Sequence, residues 1–331
     1  MKYLNLRVSE RVQETDDAVS LVLDTAQASR EALRYRAGQF LTVRVGQEHR
    51  CYSLSSAPSV DPHWKITIKR VANGKASPWL VESVNAGDWL SVLPPQGNFV
   101  LRAGAPRVDC YGAGSGITPI MSIIKEYLAT GDGDCRLFYA NRDRRGIIFG
   151  RELSALAQRY GSRLQVRYWL DEEHGPLCPR QLSEWAGPAD ATPRYVCGPA
   201  GFMDTVRDAL LGIGVSGSAI HIERFTVDAD TTPSPPAGVA SLARISIGGR
   251  VHEVPVGADE TILQAALRQG LDLPYSCTHG ICGTCMAYLR RGRVNMRDSL
   301  FLTAEELAAG AVLTCQAVTE TPVCELEFAS G

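Results

Sequence analysis

The segment Cys277-Thr-His-Gly-Ile-Cys282-Gly-Thr-Cys285 has the spacing C-x4-C-x2-C, and Cys315 follows it as a distant fourth cysteine. Thiolate is the soft ligand that iron–sulfur clusters need, and this spacing holds a single [2Fe–2S] cluster. Gly280 and Gly283 accept conformations that would strain other residues. They also leave backbone N–H groups free to approach the sulfur atoms. The segment therefore predicts a site that carries one electron at a time.

Zinc is the competing interpretation of the same cysteines. Zinc sites usually show two C-x2-C pairs, and a spacing of x4 then x2 with one isolated partner fits them poorly. His279 is expected to be an exposed loop residue, because four thiolates already complete the cluster. The predicted metal ligands are Cys277, Cys282, Cys285 and Cys315.

The residues around these cysteines predict a domain over 241–331. Residues 243–247 and 250–254 are expected to pair across Gly248-Gly249, a strong hairpin signal. A helix is predicted over 261–269, and Thr303-x-x-Glu306 is a capping box that opens a second, short helix. Cys315 is expected in the strand after that helix. The pattern is similar to the α+β β-grasp fold of plant-type ferredoxins.

The composition of the chain is that of a globular protein. Its 331 residues suffice for two or three domains, and a net charge of −2 does not indicate a nucleic-acid partner or a polybasic membrane anchor. The first ten residues lack the apolar core of a signal peptide, and we find no apolar run long enough to span a bilayer. We therefore expect a cytoplasmic location.

Six of the ten cysteines lie outside the predicted cluster site. Their scattered positions do not resemble a disulfide framework, and a reducing cytosol would keep them as thiols. Cys110, Cys135, Cys178 and Cys324 are expected to be small buried hydrophobic residues. The remaining two, Cys51 and Cys197, belong to motifs.

Residues 1–103 predict a β domain, either an antiparallel barrel or a sandwich, because short β-rich runs alternate with turn residues. The runs cover 19–23, 40–45, 64–71 and 89–92. In Gly74-Lys-Ala-Ser77-Pro78, Ser77 suits an N-cap and Pro78 the first position of a helix over 78–84. The start of such a helix attracts an anion. Upstream, Arg50 is suited to a phosphate and Tyr52 to stacking on a flat ring.

Residues 104–228 alternate strand and helix, the pattern of a doubly wound parallel sheet. Strands are expected over 107–111, 135–140, 164–168 and 194–197, with helices over 119–129, 150–160 and 202–211. The segment Gly112-Ala-Gly114-Ser-Gly116-Ile-Thr118-Pro119 follows a strand and opens a helix, as a dinucleotide loop does. Cys197-Gly198-Pro199 ends the last of these strands, where ligands of such sheets gather. A simple tight turn and a packed cysteine are the alternatives.

Together these motifs resemble the ferredoxin–NADP reductase superfamily over essentially the whole chain. In that family R-x-Y-[ST] lines the flavin, G-x-x-[ST] holds its pyrophosphate, and G-x-G-x-G-[IV]-[TA]-P holds the nicotinamide nucleotide. The C-G-P turn borders the place where nicotinamide meets flavin. The resemblance favours FAD, with FMN as the alternative because the phthalate dioxygenase reductases bind it.

The resemblance also implies roles for individual residues. It assigns catalysis to Ser53, Cys197 and Glu223. The last residues of the nucleotide domain approach the flavin in this superfamily, which makes Glu223 and Phe225 candidates, although 221–225 equally suits an edge strand. The cofactor-binding residues are predicted to be Arg50, Cys51, Tyr52, Ser53, Lys69, Arg70, Gly74, Ala76, Ser77, Gly112, Gly114, Gly116, Thr118, Cys197, Gly198, Pro199 and Phe225.

The nucleotide preference depends on the loop Asn141-Arg142-Asp143-Arg144-Arg145. Its arginines suit a 2′-phosphate, or they form a solvated charged loop. The layout resembles the 3-ketosteroid 9α-hydroxylase reductases, which use NADH, and the phenylacetyl-CoA epoxidase reductases, which favour NADPH. We expect NADH.

The order of the parts predicts a function. Nicotinamide gives up two electrons as hydride, a cluster accepts one, and a flavin between them handles both. The chain is therefore similar to the reductase components of multicomponent oxygenases, with a Rieske-type terminal oxygenase as the expected partner. A di-iron monooxygenase or epoxidase and a hybrid-cluster protein are the alternative partners, and a pure carrier or regulatory module is the alternative class. Residues 229–240 are expected to be a Pro-rich tether.

Overall fold

A computed structural model describes residues 3–26, 33–102, 104–225, 238–296 and 301–328. The chain forms two compact units. One comprises Asn5–Leu41 and Tyr52–Phe225, and the other comprises Met1–Leu4, Thr42–Cys51 and Thr226–Gly331. Residues 229–237 of the predicted tether lie outside the described ranges. The predicted domain boundaries at 103, 228 and 240 remain predictions.

The first sheet is an antiparallel barrel, as the alternating strand pattern predicted. Its strand order is β4-β3-β6-β1-β2-β5. A bridge between Leu54, just after β4, and Ile66 of β5 joins the two ends of that order. Val19, Leu21 and Leu23 of β2 are fully buried in its core. The strands are β1 (Leu4–Thr15), β2 (Ala18–Asp24), β3 (Phe40–Val45), β4 (Glu48–Ser53), β5 (Trp64–Lys69) and β6 (Trp89–Val92).

The helix between β5 and β6, α1 (Ala76–Glu82), corrects one prediction. It begins two residues before Pro78, and its N-cap residue is Lys75. Ser77 is therefore not the N-cap. Its Oγ instead accepts a hydrogen bond from the backbone N–H of Val71 at 3.1 Å, so the hydroxyl stabilises the turn that leads into the helix.

The nucleotide part is a five-stranded sheet of order β11-β10-β7-β8-β9. Its strand pairs are parallel, as predicted. Neighbouring side chains of one strand enter separate cores: Cys110 packs with α2 and α3, and Tyr111 packs with α5 and α6. The elements are β7 (Arg107–Ala113), β8 (Asp134–Asn141), β9 (Leu164–Leu170), β10 (Arg194–Cys197), β11 (Ile220–Glu223), α2 (Ile117–Thr130), α3 (Gly150–Tyr160), α4 (Asp171–His174), α5 (Pro179–Ala186) and α6 (Ala200–Gly212).

The C-terminal part is a mixed sheet of order β13-β12-β18-β14-β16, with a separate pair β15-β17. Strands β12 and β18 run parallel, as expected for a β-grasp. The elements are β12 (Ser241–Ile247), β13 (Arg250–Val256), β14 (Met286–Arg291), β15 (Val294–Met296), β16 (Ala311–Leu313), β17 (Ala317–Thr319), β18 (Val323–Glu327), α7 (Ile262–Arg268) and α8 (Ala304–Ala308).

Local signals in this part predicted the structure well. Ile247 pairs with Arg250 across the Gly248-Gly249 turn, and Thr303 with Glu306 forms the capping box of α8. The position of Cys315 is a correction, because β16 ends at Leu313 and Cys315 lies in the turn that precedes β17. A turn, unlike a strand, can direct its side chain and its backbone toward the same ligand.

In the described part of the chain, no helix is both long and apolar enough to cross a membrane.

Candidate functional site

Three strand ends meet at the carboxyl edge of the parallel sheet. In register, Gly112 of β7 pairs with Cys197 of β10, and Cys197 pairs with Glu223 of β11. Cys197 is fully buried, and the chain turns at Gly198-Pro199 to enter α6. Ligands of open α/β sheets bind at this edge. The structure thus brings together Gly112 of the predicted nucleotide loop, Cys197, predicted to border the nicotinamide, and Glu223, predicted to approach the flavin.

The glycine loop packs directly on the strand that ends at Cys197. A Cβ added to Gly116 would lie 2.2 Å from the carbonyl oxygen of Cys197, and a Cβ on Gly198 would lie 2.9 Å from Ala113 Cβ. No side chain fits at either position. The loop turns sharply at Gly114, which has a φ of +53°. Thr118 Oγ1 stabilises this turn by donating a hydrogen bond to Ser115 O at 3.0 Å. The absence of Cβ atoms leaves backbone N–H groups for a pyrophosphate.

Glu223 has the most perturbed carboxyl group of this edge. The residue retains some exposed surface, yet burial of its carboxyl raises the pKa to about 8. Burial, and secondly the Glu223 charge, also raise the pKa of the Cys197 thiol well above its ordinary range. Both groups therefore hold their protons at neutral pH, and the edge offers a carboxylic acid as a hydrogen-bond donor. Phe225, 40% exposed, follows two residues later.

The flavin motif residues of the same unit surround the end of β4 and the end of β5. Ser53 is buried and Tyr52 is partly buried. Lys69 Nζ lies 3.5 Å from Asp17 Oδ2, and Arg70 Nη1 lies 3.6 Å from a carboxylate oxygen of Glu82, with 52% of the Arg70 side chain exposed. Such loose, exposed ion pairs are weak. The two cations can therefore turn toward a phosphate at little cost.

The turn before α1 suits close approach of a ligand. Gly74 N–H donates to Val71 O at 3.0 Å, and a Cβ on Gly74 would lie 3.2 Å from Ser77 Oγ. Ala76 is buried. The predicted residues Gly74, Ala76 and Ser77 thus form one compact turn, in which Ser77 shapes the backbone and the first N–H groups of α1 are the candidate phosphate donors.

The other two residues of the R-x-Y-S motif belong to the second unit. Arg50 Nη2 pairs with Glu48 Oε2 at 2.5 Å, and half of the Arg50 side chain is exposed. Cys51 points to the opposite face of β4, as alternate strand residues do, and its Sγ donates to Ser276 Oγ at 3.1 Å. Ser276 directly precedes Cys277. The Cys51 side chain therefore lies beside the cysteine loop of its own unit.

The four predicted cluster ligands form two pairs. The Cys277 thiol interacts with Cys282, and Cys285 interacts with Cys315. Donation from Cys285, and then from Gln316, lowers the pKa of Cys315 although burial opposes this. Two pairs of thiols are the donor set for the two irons of a [2Fe–2S] cluster. Among the described residues, no three or more His, Cys, Asp or Glu side chains lie close enough together to hold a single metal ion.

The glycines of the cysteine loop have the conformations that the sequence predicted. Gly280 and Gly283 have φ values of +74° and +70°. A Cβ on Gly283 would lie 2.1 Å from the ring of Phe301. His279 is exposed, as expected. The donor set and the tight backbone both fit a cluster held by Cys277, Cys282, Cys285 and Cys315.

Asn141 is a candidate that the sequence argument did not single out. It ends β8 at the same carboxyl edge and is only 8% exposed. The Asn141 side chain interacts with the Tyr139 hydroxyl, but within the described ranges its Nδ2 makes no hydrogen bond of normal geometry. A polar residue that closes an apolar strand was the available signal. An amide left unpaired in this position suits a ribose hydroxyl or phosphate oxygen.

Three family models match successive parts of the chain. The oxidoreductase FAD-binding domain matches residues 5–101, the oxidoreductase NAD-binding domain matches residues 111–208, and the 2Fe-2S iron–sulfur cluster binding domain matches residues 245–320.

Relatives with known names match along most of their length. The ferredoxin reductase component of 3-ketosteroid-9-alpha-monooxygenase from Rhodococcus rhodochrous is 38% identical over 98% of this chain and 96% of its own. A component of the 1,2-phenylacetyl-CoA epoxidase of Escherichia coli (strain K12) is 34% identical over 98% of this chain and 97% of its own. The glycine betaine monooxygenase reductase of Pseudomonas aeruginosa (strain UCBPP-PA14) is 31% identical over 87% of this chain and 86% of its own.

Solved structures share the architecture. Phthalate dioxygenase reductase, a modular structure for electron transfer from pyridine nucleotides to [2Fe-2S], has a TM-score of 0.64 at 27% identity and covers 98% of both chains. An intact type IV self-sufficient cytochrome P450 monooxygenase has a TM-score of 0.78 at 26% identity, covering 98% of this chain and 41% of the larger one.

Proposed function

Because the chain belongs to the family of oxygenase reductase components that join FAD-binding, NAD-binding and 2Fe-2S domains, we propose that it passes electrons from NADH through FAD and a [2Fe–2S] cluster to a Rieske-type terminal oxygenase. It is an oxidoreductase, and its partner is a separate oxygenase protein. The observation that carries the proposal is the presence, in one chain, of the Gly112–Cys197–Glu223 edge and the two cysteine pairs.

A bound flavin would supply the chemistry that links a two-electron hydride donor to a one-electron acceptor. The protein binds, orients and shields these groups. Tyr52 would stack on the flavin, and Arg50, Lys69, Arg70 and the 74–77 turn would hold its phosphates. The Gly112–Gly116 loop and Thr118 hold the nucleotide. The carboxyl edge presents neutral Cys197 and protonated Glu223 to the nicotinamide, with Ser53 as a hydrogen-bonding group near the flavin and Phe225 as a covering ring.

The charges near the end of β8 support NADH over NADPH. Arg144 Nε donates to Glu173 Oε1 at 2.8 Å, and its backbone N–H donates to Glu172 Oε1 at 3.2 Å. Two carboxylates beside this arginine oppose a 2′-phosphate. We expect a higher kcat/KM for NADH than for NADPH, and a ratio in favour of NADPH would reassign Arg142 or Arg144 to phosphate binding.

A di-iron oxygenase is the second candidate partner. It is favoured by the 34% identity to the phenylacetyl-CoA epoxidase component over nearly the whole chain. A reductase for a hybrid-cluster protein remains the third. Electron delivery to each would use a brief, small contact at the cysteine loop. Reconstitution with purified oxygenases of both classes, monitored as NADH-dependent product formation, distinguishes them.

The proposal is tested with Cys285→Ser and the matched control Cys178→Ser, since Cys178 is an exposed cysteine outside the cluster loop. Cys285→Ser should abolish the visible iron–sulfur absorption and electron delivery to the oxygenase, yet retain NADH-dependent ferricyanide reduction. Cys178→Ser should retain all three. Survival of the spectrum in Cys285→Ser would refute the ligand assignment. A wild-type protein inert toward NADH and ferricyanide would instead indicate a carrier module.

The proposal also includes the identity of the flavin and the cellular compartment of the protein. Heat-released flavin should chromatograph as FAD, and FMN would contradict the assignment of the 74–77 turn. We place the protein in the cytoplasm, since the six cysteines outside the proposed cluster site are free thiols, as a reducing compartment maintains them. Recovery from cells in a periplasmic or membrane fraction would contradict this.

A further inference from the structure

A partly buried ionic cluster is formed by four residues that are not among the predicted cofactor-binding residues. Lys125 is only 4% exposed, and its Nζ lies 2.7 Å from Asp61 Oδ2 and 2.8 Å from Glu152 Oε1. The second oxygen of Glu152 lies 2.7 Å from Lys65 Nζ. The order Asp61–Lys125–Glu152–Lys65 therefore alternates in charge from one end to the other.

The members of this cluster come from two parts of one compact unit. Lys125 belongs to α2 and Glu152 to α3, both packed on the parallel sheet, whereas Lys65 belongs to β5 of the barrel and Asp61 to the loop before it. The contacts Asp61–Lys125 and Lys65–Glu152 each join the barrel to the nucleotide part. The contact Lys125–Glu152 connects these two ties, so the four side chains act as one network.

The same face of α2 makes two further ties to the barrel. Ser122 Oγ donates to Ser56 O at 2.5 Å and is itself fully buried. Glu126 accepts from the backbone N–H of Ser59 at 2.9 Å and from its Oγ at 2.7 Å. Ser122, Lys125 and Glu126 are three and four residues apart, which places them on one helix face. This face contacts the loop 56–61 along its length.

Both sides of this contact lead directly to cofactor motifs. On the nucleotide side, α2 begins at Ile117, immediately after the Gly112–Gly116 loop. On the barrel side, the loop 56–61 follows the R-x-Y-S motif closely, and β5 ends at Lys69, beside Arg70. A shift of α2 along this contact would displace the nucleotide loop relative to the flavin motif.

The network fixes the position of α2 relative to the barrel more than it adds to the stability of the protein. Burial by itself would lower the pKa of Lys125, but Glu152 and Asp61 raise it above its ordinary value, so the ammonium group remains charged. Buried ion pairs often stabilise a protein no more than well-packed apolar residues do. What they enforce is geometry, because an ion pair that slips leaves a buried charge without its partner.

From these contacts we infer that Lys125 is a positioning residue that locks the nucleotide-binding helix against the barrel at the spacing that hydride transfer requires. This inference rests on the proposed function. Hydride transfer needs reacting atoms about 3–3.5 Å apart, and a misplacement of about 1 Å can cost roughly 100-fold in rate. Lys125 is not among the predicted cofactor-binding residues, so it acts through α2, the helix to which it belongs.

The test is stopped-flow reduction of the flavin by NADH in the holoprotein. Lys125→Met, which keeps the length of the side chain and removes its charge, should lower the rate at saturating NADH by about tenfold or more. Half-saturation by NADH should change little, because the nucleotide loop itself is intact. Lys125→Arg should restore most of the rate. The matched control Arg180→Met breaks an exposed pair with Glu184 on α5 and should leave the rate unchanged.

A second variant keeps the test decisive if Lys125→Met does not fold. Asp61→Asn keeps the shape of the side chain and the Lys125–Glu152 pair but weakens a tie to the barrel, and it should lower the same rate to a smaller extent. A wild-type rate of flavin reduction in a folded Lys125→Met protein, even one with a lower Tm, would overturn the positioning role. If Lys125→Met does not fold, a wild-type rate in Asp61→Asn would overturn it. Failure of the proposed function is distinct, because wild-type protein would then not be reduced by NADH at all.

Discussion

Glu223 illustrates how a single residue acquires chemistry from its position. As the last residue of β11 it lies in register with Cys197, and burial holds its carboxyl protonated at neutral pH. A glutamate at the end of a short strand gives little sequence signal for this. The residue was predicted only through the family resemblance, with an ordinary edge strand as an equal alternative. The structure confirms the edge strand, and the approach to the flavin stays a prediction.

Stability should depend on pH through this residue. Its pKa is raised from 4.5 to about 8, so between these values the native state holds a proton that the unfolded state has lost. The Glu223 contribution to the free energy of unfolding therefore falls as pH rises toward 8, by at most about 1.4 kcal/mol per pH unit. Glu223→Gln removes that dependence. In denaturant titrations at pH 5.5 and 8.5, the variant should gain stability relative to wild type at the higher pH.

The contrary outcome is a stability difference between Glu223→Gln and wild type that does not change with pH. Such a result would mean that the carboxyl ionises with an ordinary pKa. Its proposed role as a protonated donor toward the nicotinamide would then fail, whereas the register with Cys197 would be unaffected.

Ser77 illustrates the opposite situation at the same scale. Its sequence context, a serine before a proline, predicted an N-cap, but the hydroxyl bonds to the backbone of Val71 and α1 begins earlier. Serine caps and serine-stabilised turns use the same hydroxyl and similar local bonds. Which of the two forms depends on the turn upstream, and this lies beyond the reach of a local rule.

At the scale of elements, three adjacent strands share one buried carboxylate. Asp109 of β7 is fully buried and receives two hydrogen bonds from Arg136 of β8, at 2.6 and 2.8 Å. Arg107 Nε lies 3.3 Å away, and Arg194 of β10 lies at 4.0 Å. Asp109 is in register with Arg136 and Arg194 on either side. This arrangement fixes the alignment of the strands whose far ends form the nicotinamide edge.

Asp109→Ala should therefore be severely destabilising. It leaves buried arginines without their anion, a change that typically costs about 3–5 kcal/mol. Glu184→Ala is the control, because it breaks the exposed Arg180–Glu184 pair and should cause no measurable change. Chemical denaturation of the two variants checks the expectation. A loss in Asp109→Ala as small as that of the control would show that the arginines find water or other partners.

At the scale of the whole molecule, the three parts together provide a route from a two-electron donor to a one-electron acceptor. The proposed nicotinamide site and the cysteine loop belong to different compact units. A hydride carries two electrons and the cluster accepts one, so neither can exchange directly with the other. The FAD-binding barrel comes first in the sequence, before the NAD-binding part and the 2Fe-2S part, but its flavin chemistry stands between theirs.

Removal of the flavin should stop electron transfer from NADH to the iron–sulfur cluster. Holoprotein dialysed free of FAD should lose the bleaching of its iron–sulfur absorption by NADH, whereas dithionite should still bleach it. Added FAD should restore the response to NADH. Reduction of the cluster by NADH in flavin-free protein would contradict the proposed route, and failure of dithionite would show that the cluster was lost during dialysis and require its absorption to be checked first.

The sequence by itself determined the local features of this protein. Strand and helix periodicity, the Gly248-Gly249 hairpin, the capping box at Thr303 and the cysteine spacing all act through neighbouring residues, so each could be predicted without the fold. Strand β1, the position of Cys315 in a turn and the start of α1 were not predicted. Strand β1 has mostly polar side chains and so gives a weak signal, and the turn before α1 depends on the hydrogen bond from Val71 N–H to Ser77 Oγ.

Only the tertiary structure decided how the motifs meet. The register that aligns Gly112, Cys197 and Glu223, the contact of Gly116 with Cys197, and the buried network around Lys125 join residues that are distant in the sequence. Lysines, aspartates and glutamates of these types are common on any surface, and nothing in their spacing indicates burial. Their role arises because folding removes water from between them, which makes the geometry of each charge decisive.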